Sequence, residues 1–136
     1  MFKKILVPVD LTHNELGVQM IKLAKEIGGD STEIVLTHVV HDIPAYAAVE
    51  ISSEILDKTH KWAKAEIEKL AKDNGVTGAA DLRHGSAGSA ILEAAAEHGV
   101  DLIVIGSHKP GMADYFLGST AGRVVRHAQC PVLVMR

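Results

Sequence analysis

Five short apolar runs recur along the chain: Lys4 to Val9, Glu33 to Val40, Gly78 to Arg83, Leu102 to Gly106 and Pro131 to Met135. Three are nearly continuous in Val, Ile and Leu, which is the pattern of strands covered on both faces. Helical periodicity fills the intervals. It is clearest in Ala121, Val124, Val125 and Ala128, spaced i, i+3, i+4, i+7, and in Ile51, Ile55, Trp62, Ile67 and Leu70. The longer pattern runs roughly from Ala48 to Asp73 and stops at Asn74-Gly75, a helix-ending pair. Thr12-His13-Asn14-Glu15 reads as a capping box, with Thr12 as N-cap of a first helix that ends at Gly28-Gly29. The alternation is therefore β-α-β-α-β-α-β-α-β. It predicts an α/β fold, an open five-stranded parallel sheet with right-handed crossovers and helices on both faces.

In such sheets ligands bind beyond the carboxyl ends of the strands, where the strand order reverses. The predicted ends read Pro8-Val9-Asp10, His38-Val39-Val40-His41, His84-Gly85-Ser86 and Gly106-Ser107-His108-Lys109, so small and polar residues collect along one edge. An Asp just after a strand often caps the next helix. With Thr12 assigned that role, the Asp10 carboxylate is free to accept from a ribose hydroxyl or an adenine amine. Five of the twelve glycines fall between Gly99 and Gly122. Gly106 ends an apolar strand and Gly118-Ser119-Thr120 opens a helix, so backbone N–H groups, two hydroxyls and a positive helix end converge on an anion site suited to phosphate. His108 and Lys109 add donors and charge to the loop between. A plainer reading has Ser119 capping the helix and Gly118 turning the chain. Neither a P-loop nor GxGxxG occurs, since Met112 and Ala113 stand where Lys and Ser/Thr are needed after Gly111.

Composition narrows the partners. A chain of 136 residues is one domain's worth, and 47% hydrophobic against 23% charged residues is enough to bury a core. The balance of 14 Lys+Arg to 17 Asp+Glu, net -3, provides no general attraction to nucleic acid or anionic membranes. Apolar stretches reach only four or five residues, whereas a span needs about 20. The lysines and short apolar run at the start do not form a signal sequence, and a cytoplasmic protein is expected. Cys130 is the single cysteine and reads as a small buried hydrophobe. The eight histidines show no spacing such as HExxH, so no metal centre is expected beyond an ion accompanying phosphates. With no Ser/His/Asp or paired-carboxylate arrangement, binding is a better reading than catalysis.

The stretch from Asp101 through Gly106-Ser107-His108 and Leu117-Gly118-Ser119-Thr120-Ala121 to Val124-Val125-Arg126-His127-Ala128 and Cys130-Pro131-Val132-Leu133-Val134 resembles the universal stress protein family. The resemblance extends to Lys4-Ile5-Leu6-Val7-Pro8-Val9-Asp10 and Leu36-Thr37-His38-Val39, and so covers the whole chain, residues 1–136, as one domain. It implies a Rossmann-like sheet of strand order 3-2-1-4-5, of the adenine nucleotide alpha hydrolase-like kind. It further implies that Pro8, Val9, Asp10 and Val39 hold adenine and ribose, and that Gly106, Ser107, His108, Lys109, Gly118, Ser119 and Thr120 line the phosphates of ATP, with Mg2+ able to accompany them. The ATP-binding branch carries G-x2-G-x9-G-[ST]. Here Lys109 occupies the second glycine position, Gly111 comes two positions late, and eleven residues separate Gly106 from Gly118. Ser107-His108-Lys109-Pro110 followed by Tyr115-Phe116-Leu117-Gly118-Ser119 resembles the F/G-type branch, which shares the shortened loop.

Three functions remain open: an ATP-binding stress-response dimer, a weak ATPase, and a nucleotide-free dimerising adaptor with an unidentified protein partner. The last strand, Pro131 to Met135, is expected at a sheet edge, where a second copy of the chain would cover it in a homodimer. The segment His41 to Val49, with Pro44 and Tyr46, is expected to form a loop over the site.

Overall fold

The computed structural model describes residues 1–41, 52–107 and 117–136. In chain order these contain β1 (Lys4–Pro8), α1 (Asn14–Gly28), β2 (Glu33–Val40), α2 (Ser53–Asp73), β3 (Ala80–His84), α3 (Ala87–His98), β4 (Leu102–Gly106), α4 (Ser119–His127) and β5 (Val132–Met135). Every ladder is parallel and the strand order is β3-β2-β1-β4-β5, as the sequence resemblance implied. The order reverses at β1, which pairs Ile5 with Ile34 of β2 on one side and with Leu102 of β4 on the other.

The pleat sorts the apolar runs into two cores. Ile5, Val7, Ile34, Leu36, Leu102 and Val104 pack under α1 and α2 through Met20, Ile21, Ala63 and Ile67. Leu6, Val35, Ile103 and Ile105 point the other way, against Ala90, Ile91 and Ala94 of α3 and Ala121 and Val124 of α4. Both faces are covered, which is why the central strands read as continuous runs rather than alternations.

Several boundaries differ from the sequence expectation. Strand β3 runs from Ala80 to His84, and before it Gly78 passes so close to β2 that a Cβ there would collide with the Ile34 carbonyl. Strand β1 ends at Pro8 and β5 begins at Val132, each one residue inside the predicted run. The Thr12 capping box does not form: α1 begins at Asn14, and its N-cap, His13, makes no side-chain bond to the helix. The competing interaction is local, because Asp10 engages the Thr12 hydroxyl instead.

Helix α2 departs most. Its described start is Ser53, with the Ser52 hydroxyl accepting from the Ile55 N–H at 3.3 Å; Ala48 and Ile51 lie outside the described residues. Ile55 and Trp62 were expected in the core stripe but are 56% and 47% exposed, and burial begins only at Ala63. Length explains this: the 21-residue helix is ~31 Å long, while the five residues of β3 rise only ~16 Å, so the first turns overhang the carboxyl edge of the sheet. In α4, similarly, Ala121 and Val124 are buried while Val125 is 43% exposed.

Candidate functional site

A cavity of about 530 Å³ lies at the carboxyl edge of the sheet, where β1, β2 and β4 end. It straddles both faces. Leu16 and Met20 of α1 and Thr59 and Trp62 of α2 wall one side, and Ile91 of α3 and the first turn of α4 wall the other. Its volume falls within the ~300–1,000 Å³ of ordinary small-molecule sites. Pro8, Val9, Asp10, Val39, Gly106, Ser107, Gly118, Ser119 and Thr120, all named from sequence, line it together. His108, Lys109 and the expected loop beyond His41, up to Val49, lie outside the described residues.

Asp10 sits at the mouth of β1. Its Oδ1 accepts from the Thr12 hydroxyl at 2.7 Å and from the Thr12 N–H at 3.0 Å, while its carbonyl accepts from the His13 N–H at 2.9 Å. This is an Asx-turn, so Asp10 is not released by a Thr12 cap but is itself the turn-forming residue. Oδ1 is committed to that turn. Partial burial raises the carboxyl's pKa, but the two Thr12 hydrogen bonds, with positive charge at His13 and His38, outweigh it and hold the group below its ordinary value. A lowered carboxylate is an acceptor for hydroxyls and amines throughout the neutral range. His38 Nδ1 lies 3.0 Å from the Val9 carbonyl and the Val9 N–H donates to the Thr37 carbonyl at 2.8 Å, so β1 and β2 are locked together beneath Asp10.

On the β4 side the Ser107 hydroxyl accepts the Gly118 N–H at 2.9 Å, joining the end of β4 to the start of α4. Gly118 is the N-cap and has no side chain to offer, and the first intrahelical bond runs from the Gly122 N–H to the Gly118 carbonyl at 2.7 Å. The N–H groups of Ser119, Thr120 and Ala121 therefore have no acceptor among the described residues, and all three residues line the cavity. Free donors at the positive end of a helix dipole form an anion cradle. Gly106 lines the cavity at the end of β4, and a Cβ there would come within 2.7 Å of the Leu16 side chain of α1.

Sequence reasoning missed four contributors. Thr37 is fully buried and lines the cavity, and its hydroxyl has no hydrogen-bond partner among the described residues. No local signal marks it. Trp62 was read only as part of a helical pattern, Leu16 and Met20 were not singled out, and packing brings all three to the cavity. The histidines disperse: His38 secures Val9, while His84 Nε2 lies 3.2 Å from His60 Nδ1 on α2. No group of three or more metal-ligating side chains occurs among the described residues. Cys130 is half-buried, and burial, then the Asp101 charge, push its thiol pKa up.

The Universal stress protein family matches the chain across residues 1–136. The chain belongs to this family. Among its relatives, Universal stress protein MJ0531 of Methanocaldococcus jannaschii is 33% identical over 141 residues, covering 100% of this chain and 83% of the relative. Universal stress protein G of Shigella flexneri is 31% identical over 145 residues, covering 100% of both. Of solved structures, hypothetical protein MJ0577, whose structure was used to assign a biochemical function, superposes with a TM-score of 0.80 at 29% identity, covering 99% of this chain and 96% of that one. Two family structures of the same fold were solved with ligands. One is a universal stress protein in complex with cAMP, with TM-score 0.64, 20% identity and coverage of 99% and 97%. The other is the Archaeoglobus fulgidus protein in complex with dAMP, with TM-score 0.65, 18% identity and coverage of 98% and 98%. In this universal stress protein no helix among the described residues is long and apolar enough to cross a membrane.

Proposed function

We propose that this universal stress protein binds ATP at the carboxyl edge of its sheet and acts as a nucleotide-responsive stress-response dimer, residues 1–136 serving as one domain. The observation that carries the reading is the pairing, in one cavity, of a lowered carboxylate at Asp10 with first-turn N–H donors of α4 that have no acceptor among the described residues. Ribose hydroxyls and adenine offer donors to the first, and phosphates accept from the second. In this reading Pro8, Val9, Asp10 and Val39 face base and ribose. Gly106, Ser107, Gly118, Ser119 and Thr120, with His108 and Lys109, surround the phosphates. The adenine nucleotides in two structures of this fold support the ligand class.

Mg2+ would arrive with the triphosphate rather than be held by a cage of protein ligands. Binding and sensing are favoured over turnover, because the Asp10 Oδ1 is engaged by Thr12 and no other carboxylate lines the cavity among the described residues. A weak ATPase and a nucleotide-free adaptor are the competing readings. Dimerisation draws support from β5, which pairs only with β4 among the described strands and leaves Val132 to Met135 half-buried. The protein is expected in the cytoplasm.

Calorimetric titration with ATP tests the binding, with Asp10→Ala and Ser119→Ala as variants. Micromolar affinity in the parent and a loss of about tenfold in each variant are expected, near the ~1.5–3 kcal/mol carried by a hydrogen bond to a charged group. No heat from the parent protein rejects the reading and leaves the adaptor. Phosphate release unaffected by either substitution marks an ATPase contaminant. Light scattering at micromolar concentration should give twice the chain mass, and a monomer removes the dimer.

A further inference from the structure

Trp62 is the only tryptophan in the chain, and it lines the cavity while remaining 47% exposed. Such a position is costly for a side chain that withdraws ~150–250 Å² from water when buried. No packing within α2 explains it, since residues 52–62 are exposed throughout. The backbone beneath is nonetheless held firmly. Ala63, the next residue, is 1% exposed and packs in the core with Ile67, one turn further on. The indole is thus carried by an overhanging turn on a rigid base, with Thr59 one turn earlier on the same wall.

The cavity is polarised around this side chain. Leu16 and Met20, from the same side of the sheet, give the Trp62 wall an apolar floor. Across the sheet edge stand Ser119 and Thr120, whose N–H donors have no acceptor among the described residues. Flat aromatic surface at one end and anion-binding donors at the other match the polarity of a nucleotide. We infer that Trp62 is the base-stacking wall of the site, its indole face packing against the heteroaromatic base while the α4 end holds the phosphates. The inference rests on the nucleotide reading above and adds the group that recognises the base. Stacking a base on an aromatic ring tightens binding by roughly five- to a hundredfold and tolerates any π-face, with larger purine rings gaining most overlap.

Because the chain has one tryptophan, its emission reports on this position alone. ATP is titrated into the parent, Trp62→Ala and Trp62→Phe, following heat for all three and emission for the parent. The expected result is a saturable change in parent emission with the calorimetric midpoint, a loss of about tenfold in ATP affinity for Trp62→Ala, and recovery of most of it in Trp62→Phe. Exposure of the side chain keeps both variants folded, which circular dichroism checks. Equal ATP affinity in the parent and Trp62→Ala overturns the stacking role and leaves nucleotide binding standing. An equal loss in Trp62→Phe also overturns it, because an aromatic ring would then not suffice. Absence of ATP binding to the parent overturns both readings.

Discussion

The two edges of the sheet are finished in opposite ways. At the amino edge, side chains close the backbone: Asp101 accepts from the Lys3 N–H at 2.8 Å and the Lys4 N–H at 3.1 Å, and the Thr32 hydroxyl lies 2.6 Å from the carbonyls of both Phe2 and Gly28. The Lys25 ammonium reaches the Asn74 carbonyl, tying the ends of α1 and α2. At the carboxyl edge the Thr37 hydroxyl, three N–H groups of α4 and half of Trp62 are left without partners among the described residues. Polar groups left unmatched by the chain's own atoms cost stability, and such costs collect where a ligand can repay them. The amino edge closes on its own side chains, and the carboxyl edge turns its unmatched groups toward the cavity.

The sharpest way to break this contrast is to add a methyl group at each edge. Gly78→Ala drives a Cβ into the Ile34 carbonyl, which is backbone and cannot yield, and should cost about 3 kcal/mol in urea denaturation. Among the described residues Gly118→Ala meets only the Ser107 hydroxyl at 3.6 Å, with φ at -57°, and should cost about 0.5 kcal/mol, the difference between Gly and Ala as an N-cap. Equal losses at the two sites would erase the distinction.

A smaller effect of opposite sign is expected at Thr37. Replacing the unpartnered hydroxyl by a methyl in Thr37→Val should stabilise the ligand-free protein by about 1 kcal/mol, seen as a raised denaturation midpoint. A destabilised variant would mean that the hydroxyl is satisfied in solution.

A comparably small effect to that at Gly118 is expected at Asp101. The Lys3 backbone N–H, helped by that of Lys4, lowers its carboxyl pKa against opposing desolvation. A lowered folded value means that the stabilisation is present above the unfolded carboxylate range and is lost as pH falls through the folded value. Because solvent screens the group, Asp101→Asn should cost only about 0.5 kcal/mol at pH 7, and the variant and parent should converge in pH-dependent melting once the pH has fallen below the lowered folded value. A gap that persists in acid would assign the effect to shape rather than charge.

The strands were legible because parallel strands buried on both faces must be apolar at nearly every position, and β2 and β4 fall where the runs predict. The glycine-rich stretch was legible for a related reason: Gly118 opens a helix without a side-chain cap, leaving donors that a sequence pattern can mark. Thr12 was misread because two local hydrogen-bonding schemes compete for one hydroxyl, and the Asx-turn from Asp10 wins by two residues of separation. Ile55 and Trp62 were misread because periodicity gives the face of a helix but not how far the helix outruns the sheet.

Thr37 shows the limit of one-dimensional reading. It sits in an apolar run as any strand threonine would, and only the folded structure buries it at the cavity with a hydroxyl that has no partner among the described residues. The sequence by itself determined the alternation of elements, the family and the clustering of small and polar residues at strand ends, since these depend on local propensity and on burial averaged over faces. Only the tertiary structure decided which of those residues share a cavity, which donors have no acceptor among the described residues and that Trp62 joins the cavity wall. Those properties depend on helix overhang and inter-element distance, which no residue encodes alone.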